Sequence, residues 1–195
     1  MDFDSIEAAL LVLAGGRSSR MGASKPLLAV EGGSLLGWVL GRLAPNFAQV
    51  MVSVADREAE LPDDLQGAEL VFDLHRNHGP LAGIEAGLAH SRHDALFVVA
   101  CDMPWVDITL ARRLVEASAG HDAAVPMVAG RPEPLCATYR ASAAPELGMA
   151  LRESRLQARA ALAGMDVSYQ FELDSHLFRN LNTPEDYRAL LAALR

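Results

Sequence analysis

The stretch LLVLAGGRSSRMGASKPLLAVEGGSLL, residues Leu10–Leu36, contains the pattern that decides the fold. A short aliphatic run ends at two glycines, and the cations Arg17, Arg20 and Lys25 follow shortly afterwards. Strands that are covered on both faces are continuous aliphatic runs of this kind. Glycines allow backbone N–H groups to approach an anion closely, and arginine or lysine can then neutralise its charge. The stretch therefore predicts a buried strand followed by an anion-binding loop; an exposed turn that carries its cations by chance is the alternative.

Strand and helix patterns alternate on either side of this loop. Buried strands are predicted at Ala9–Leu13, Gln49–Val54, Leu70–Phe72 and Ala95–Ala100. Helical periodicity is found at Ser34–Leu43, Pro80–Ala89 and Ile108–Ala117, the last with Asp107 as its N-cap. This alternation predicts an α/β protein with a parallel sheet and right-handed crossovers.

The second half of the chain is less regular. Strands are predicted at Ala123–Met127, Leu135–Tyr139 and Tyr169–Leu173, and one or two helices at Ala144–Ala163. Thr183 is predicted to cap a C-terminal helix, because Pro184 and two acidic residues follow it. The sequence contains no repeat or linker, so we expect one domain over residues 1–195.

Composition narrows the class of protein. The chain has 195 residues and a net charge of −8, which argues against nucleic acid or an anionic membrane as a partner. No apolar run approaches the roughly 20 residues that a membrane span needs. Acidic residues precede the first apolar run, which is unlike a secretory signal, and Cys101 and Cys136 lie in apolar surroundings. We therefore expect a cytoplasmic protein whose cysteines belong to its core.

Asp102 is the second residue to which the pattern draws attention. It follows the buried strand ALFVVAC, and ligands of open α/β sheets bind beyond the carboxyl ends of the strands. An unpaired buried carboxylate is costly, whereas a carboxylate at a strand end can bind Mg²⁺. A helix cap or a turn is the alternative. The loop at 13–25 matches neither the P-loop pattern nor the dinucleotide G-x-G-x-x-G pattern.

The complete string LAGGRSSRMG, followed by KPLL, resembles the signature of nucleotidyltransferases with a Rossmann-like fold. It is most similar to the molybdenum cofactor guanylyltransferases. Four further segments carry the same resemblance: HGPLAGIEAGL (78–88), VVACDMPWV (98–106), RPEPLCATY (131–139) and FRNLNTPEDY (178–187). The resemblance implies a three-layer Rossmann-like nucleotidyltransferase fold with a mostly parallel central sheet.

Site residues follow from the same resemblance. It implies a nucleotide-binding set of Leu13, Ala14, Gly15, Gly16, Arg17, Lys25, Ser53, Asp73, Gly79 and Asp102. It implies catalytic roles for Lys25, Asp102 and Arg20, with the two arginines of the loop screening the pyrophosphate that leaves. Asp102 and Asn182 are expected to bind Mg²⁺, and Asn180 and Asn182 to contact the second substrate. The alternative for both asparagines is a loop whose amides cap the last helix.

The implied reaction transfers GMP from GTP to the phosphate of molybdenum-bound molybdopterin and releases pyrophosphate. Transient contact with proteins that deliver or accept the cofactor is part of this expectation. Some residues depart from the family pattern: the loop reads M-G-A-S-K, Ser53 replaces an asparagine, and Glu133-Pro134 stands where His-Pro is more usual. Three alternative functions therefore stay open. They are the transfer of a cytidylyl group, transfer to another small phosphate, and a regulator that binds a nucleotide without turning it over.

Overall fold

The computed structural model describes residues 5–14, 24–73 and 78–194. In these ranges the strands are β1 Ile6–Leu13, β2 Ala29–Val30, β3 Gly33–Ser34, β4 Phe47–Val54, β5 Glu69–Phe72, β6 Ala95–Ala100, β7 Ala123–Val128, β8 Arg131–Pro132, β9 Cys136–Arg140 and β10 Val167–Gln170. The α-helices are α1 Leu35–Leu43, α2 Pro80–His90, α3 Ile108–Ala117, α4 Ala144–Arg152, α5 Ala158–Ala161 and α6 Pro184–Ala193.

The main sheet has the order β10-β7-β9-β6-β1-β4-β5, and β8 pairs with β7. All neighbours along this order are parallel except β9, which runs antiparallel to both β6 and β7. Strand β1 lies centrally, with Leu13 opposite Ser53 of β4 and opposite Ala100 of β6. The carboxyl ends of β1, β4 and β6 therefore meet at one edge, and the prediction of a mostly parallel α/β sheet is confirmed.

Helices cover both faces of the sheet. Alternate residues of β1 point to opposite faces, so Leu10 and Val12 pack in the cluster that contains α1 and α3. Leu11 and Leu13 pack in the other cluster, against α2, α4 and α5. Burial on both faces explains the continuous aliphatic runs, because neither side of a central strand meets water. The molecule thus has three layers.

Most element boundaries agree with the sequence prediction. Asp107 accepts a hydrogen bond from the Leu110 amide at 2.9 Å, and Thr183 forms a capping box with Asp186, so both predicted N-caps are confirmed. The strand predicted at Tyr169–Leu173 was wrong in position, since β10 spans Val167–Gln170. It lies at the edge of the sheet beside β7, and none of its residues is fully buried.

Helix α6 packs against β2 and the beginning of α1. The Tyr187 hydroxyl donates a hydrogen bond to the Ala29 carbonyl, and Leu190 packs in a small cluster with Val30 and Leu35. This packing brings the segment before α6 to the carboxyl end of β6. No helix in the described ranges is both long and apolar enough to cross a bilayer.

Candidate active site

Three distant segments meet at the Lys25 ammonium group. The Nζ atom of Lys25 lies 2.6 Å from Oδ2 of Asp102 and 3.0 Å from Oδ1 of Asn182. Only 17% of the Lys25 side chain and 21% of the Asp102 side chain are exposed, so both are partly shielded from water and remain accessible. The structure therefore brings together the lysine, the carboxylate and the amide that the sequence singled out separately.

Backbone hydrogen bonds fix each of these segments. Lys25 begins a short 3-10 turn, Lys25–Leu27, in which the Leu28 amide donates to the Lys25 carbonyl at 3.1 Å. Asp102 follows β6 in a turn that the Met103 amide closes onto Ala100 at 3.1 Å. The Leu181 amide donates to the backbone carbonyl of Asp102 at 2.9 Å. This bond holds the residue before Asn182 against the backbone of Asp102.

This arrangement suits a hard divalent cation. Oδ2 of Asp102 and Oδ1 of Asn182 are both directed at one positive charge, and carboxylate and amide oxygens are ligands that Mg²⁺ accepts. No group of three His, Cys, Asp or Glu side chains in the described ranges could hold a metal ion by itself. Mg²⁺ commonly takes one or two protein ligands and completes its shell with water and substrate phosphates, so the donor set present here fits.

A second polar group lies at the ends of β4 and β5. The Ala14 amide donates to the Ser53 carbonyl at 2.9 Å, which extends the pairing of β1 and β4 by one residue. The Ser53 hydroxyl donates to Oδ1 of Asp73 at 3.0 Å. Burial raises the pKa of the Asp73 carboxyl above its usual value, and the Ser53 hydrogen bond opposes this effect. A half-buried carboxylate is a suitable acceptor for a ligand's N–H groups.

Helix α2 approaches this group closely. A Cβ atom added to Gly83 would lie 2.5 Å from the Ser53 hydroxyl oxygen and 3.0 Å from Cδ2 of Leu13, so only glycine fits there without a shift. Gly79 precedes the helix with a φ of 65°, in the region that favours glycine. The start of α2 thus lies against the strand ends that carry the predicted nucleotide contacts.

Of the remaining predicted site residues, two lie within the described ranges and four lie outside them. Leu13 is buried at the end of β1, and Asn180 is half-buried next to Leu181. Gly15, Gly16, Arg17 and Arg20 lie outside the described residues, and their roles stay predictions.

Glu133 lies at the same edge of the sheet. In the sequence it is distinguished only by its departure from the family pattern. Burial raises the pKa of its carboxyl, the positive charge of Arg159 and the Leu135 amide lower it, and the negative charge of Asp102 raises it further. The sequence signal was the unusual Glu-Pro pair in RPEPLCATY, which identifies the residue but none of its contacts.

Fold and site together define a nucleotidyltransferase. The structure of molybdopterin-guanine dinucleotide biosynthesis protein A from Archaeoglobus fulgidus is similar, with a TM-score of 0.82 and 31% identity, covering 95% of this chain and 98% of that one. A cytidylyltransferase structure from Thermus thermophilus, at 21% identity and a TM-score of 0.69, covers 95% of this chain and 98% of its own and shares the fold. Residues 10–168 match the family described as MobA-like NTP transferase domain, and the chain belongs to this family.

Sequence relatives agree with this assignment. A probable molybdenum cofactor guanylyltransferase from Pelotomaculum thermopropionicum is 35% identical, covering 93% of this chain and 90% of the relative. A probable molybdenum cofactor guanylyltransferase from Methanosarcina mazei is 36% identical, with 93% and 88% covered. The predicted resemblance is therefore confirmed.

Proposed function

We propose that this protein transfers GMP from GTP to the phosphate of molybdenum-bound molybdopterin, forming the guanine dinucleotide cofactor and pyrophosphate. The observation that carries the proposal is the convergence of Lys25, Asp102 and Asn182 from three distant segments. A protein that only bound nucleotide would have little need of this set. The names of the relatives in the same family support guanylyl transfer in particular.

The reaction requires the enzyme to position its two substrates and to neutralise the negative charge of their phosphates. An oxygen of the acceptor's phosphate attacks the α-phosphorus of GTP, the bond from that phosphorus to the bridging oxygen breaks, and pyrophosphate leaves with the electron pair. The acceptor supplies the nucleophile itself, so no serine or cysteine nucleophile is required. Charge develops on the oxygens around the phosphorus, where fixed cations stabilise the transition state best.

Lys25 is suited to this role because its ammonium group is held at the carboxyl edge by two oxygens. It neutralises phosphate oxygens as a point charge. Arg17 and Arg20 are proposed to screen the departing pyrophosphate. Asp102 and Asn182 would hold Mg²⁺, which when bound supplies Lewis-acid stabilisation of the phosphate oxygens.

The base is assigned to the Ser53 and Asp73 side of the site. Guanine presents a ring N–H beside its amino group, and a carboxylate such as that of Asp73 can accept a hydrogen bond from each. The segment Leu13–Gly16 and the start of α2 at Gly79 are proposed to contact the rest of the nucleotide. Asn180 is proposed to contact the acceptor together with Asn182.

We further propose that residues 1–195 act as one catalytic domain in the cytoplasm. Molybdopterin reaches such an enzyme, and the dinucleotide leaves it, through transient contacts with other proteins. Nucleic acid and membranes are not partners in this proposal, in keeping with the net charge of −8.

The decisive experiment measures pyrophosphate release with Mg²⁺, molybdenum-bound molybdopterin and either GTP or CTP. We expect GTP to be preferred, and Asp102→Asn to lower the rate by about 100-fold or more, the scale seen when one electrostatic contact to a transition state is removed. Glu116→Gln is the matched control, because Glu116 is an exposed acid on α3 and its loss should leave the rate unchanged.

Each contrary outcome has a distinct meaning. Full activity of Asp102→Asn would remove Asp102 from the mechanism. A preference for CTP would favour cytidylyl transfer, and tight binding of GTP without pyrophosphate release would favour a regulator.

A further inference from the structure

The direction of β9 divides the site into two halves. Leu13, Ser53 and Asp73, which are assigned to the nucleotide, lie at the ends of β1, β4 and β5, on one side of β6. On the other side β9 runs antiparallel, so its beginning lies beside the end of β6, with Cys136 opposite Val99. The Ala100 amide donates to the Leu135 carbonyl at 2.9 Å. The turn before β9 therefore borders the half that the nucleotide leaves to the acceptor.

Glu133 is held firmly in this turn. Its amide donates to the Pro126 carbonyl at 2.9 Å, and its carbonyl accepts from the Cys136 amide at 3.3 Å. The Leu135 amide lowers the pKa of the Glu133 carboxyl, so the side chain lies close to the backbone of its own turn. The residue is nevertheless only half-buried, so a ligand can reach it.

The charges around Glu133 favour a hydrogen-bond donor as its ligand. The guanidinium of Arg159 attracts the Glu133 carboxylate electrostatically, and the Asp102 carboxylate repels it. The Nε atom of Arg159 donates to the Pro132 carbonyl at 2.9 Å, which anchors that guanidinium beside the same turn. A fixed carboxylate has acceptor sites on both oxygens, and two adjacent N–H donors can occupy them side by side.

We propose that Glu133 determines which acceptor is used, by accepting hydrogen bonds from the ring N–H and the amino group of its 2-amino-4-oxopyrimidine ring. This inference rests on the proposed function, which makes the acceptor a pterin that carries a phosphate at its other end. Glu133 is then a specificity residue that lies on the acceptor side of Asp102 and takes no part in nucleotide binding.

The test compares two stable probes that differ at one group. These are the phosphate ester of 6-hydroxymethylpterin and that of the corresponding 2,4-dioxopteridine, which has a carbonyl in place of the 2-amino group. Binding is followed by quenching of pteridine fluorescence, with the protein saturated by Mg²⁺ and a non-hydrolysable GTP analogue. We expect the wild-type protein to bind the pterin at least about 10-fold more tightly, because the dioxo probe turns an oxygen towards the carboxylate.

Glu133→Gln keeps the size of the side chain and one acceptor oxygen, so it should fold normally. It should lose most of the discrimination between the probes while its affinity for the GTP analogue stays unchanged. Glu133→Asp, which keeps the charge, should retain part of the discrimination, and Glu116→Gln should retain all of it.

Equal binding of the two probes by the wild-type protein would overturn the proposal, and so would full discrimination in Glu133→Gln. Tighter binding of Mn²⁺ alone by wild type than by Glu133→Gln, without probe discrimination, would assign the carboxylate to a cation instead. If the probes are discriminated but GTP turnover fails, the proposed reaction fails while the role of Glu133 stands.

Discussion

Replacing Gly37 with Ala should destabilise the protein, although alanine is the better helix former. The carboxylate of Asp64 occupies the space beside Gly37 at the start of α1. It accepts hydrogen bonds from the Ser34 amide at 2.8 Å and from the Ser34 hydroxyl at 2.6 Å. A Cβ atom on residue 37 would overlap Oδ2 of Asp64 and lie 2.9 Å from Oδ1, so the carboxylate must move away.

The expected size follows from the contacts that are lost. A hydrogen bond to a charged group contributes about 1.5–3 kcal/mol, and two such bonds end at Asp64. The displaced carboxylate regains water, and alanine gains about 1 kcal/mol over glycine inside a helix. We therefore expect a net loss of about 1–3 kcal/mol in the free energy of unfolding.

Urea unfolding followed by circular dichroism measures this loss, and the same helix supplies a control. Gly41 has no atom within 4 Å of its would-be Cβ, so Gly41→Ala should stabilise the protein by about 0.5–1 kcal/mol. Gly37→Ala should also become stabilising when Asp64 is already replaced by Ala. If Gly37→Ala and Gly41→Ala behave alike in the wild-type background, the contact between Asp64 and α1 does not exist in solution.

Two further predictions concern single polar groups, one half-buried and one fully buried. Burial raises the pKa of Asp73, so the folded protein holds a proton that the unfolded chain has released, and stability falls as pH rises from the usual value of 3.8 through the folded pKa. Asp73→Asn should therefore gain stability relative to wild type in urea unfolding as the pH rises above 3.8, and a difference that stays constant with pH would contradict this. The buried Thr138 hydroxyl has no hydrogen-bond partner among the described residues. Thr138→Val should be neutral or stabilising by up to about 1 kcal/mol in thermal unfolding, and a clear loss would mean that the hydroxyl is hydrogen-bonded.

The parts of the fold that sequence predicted well are those with two buried faces. The strand Ala95–Ala100 was placed without error because every one of its residues is buried, and such a run is visible in any window of the sequence. Strand β10 was misplaced because it lies at an edge, where Tyr169 is exposed and no continuous aliphatic run is needed.

The candidate site was predictable to the level of residue types and strand ends. Lys25 and Asp102 were expected at one edge because the carboxyl ends of parallel strands meet there. Their direct contact could not be predicted, since it joins residues that are 77 positions apart in the chain. The hydrogen bonds between Asp64 and Ser34 could not be predicted either. A single acid in a polar loop has no local sequence pattern that identifies its hydrogen-bond partner.

The attachment of α6 near Asp102 has a consequence for how the enzyme is made. Asn182 comes after every strand of the main sheet in the sequence, and it reaches Lys25 only when Leu181 and Tyr187 have docked. During translation the strands leave the ribosome first, so they can pair while this segment is still inside the exit tunnel. The Asn182 side chain therefore joins Lys25 and Asp102 only after the strands of the main sheet have left the ribosome.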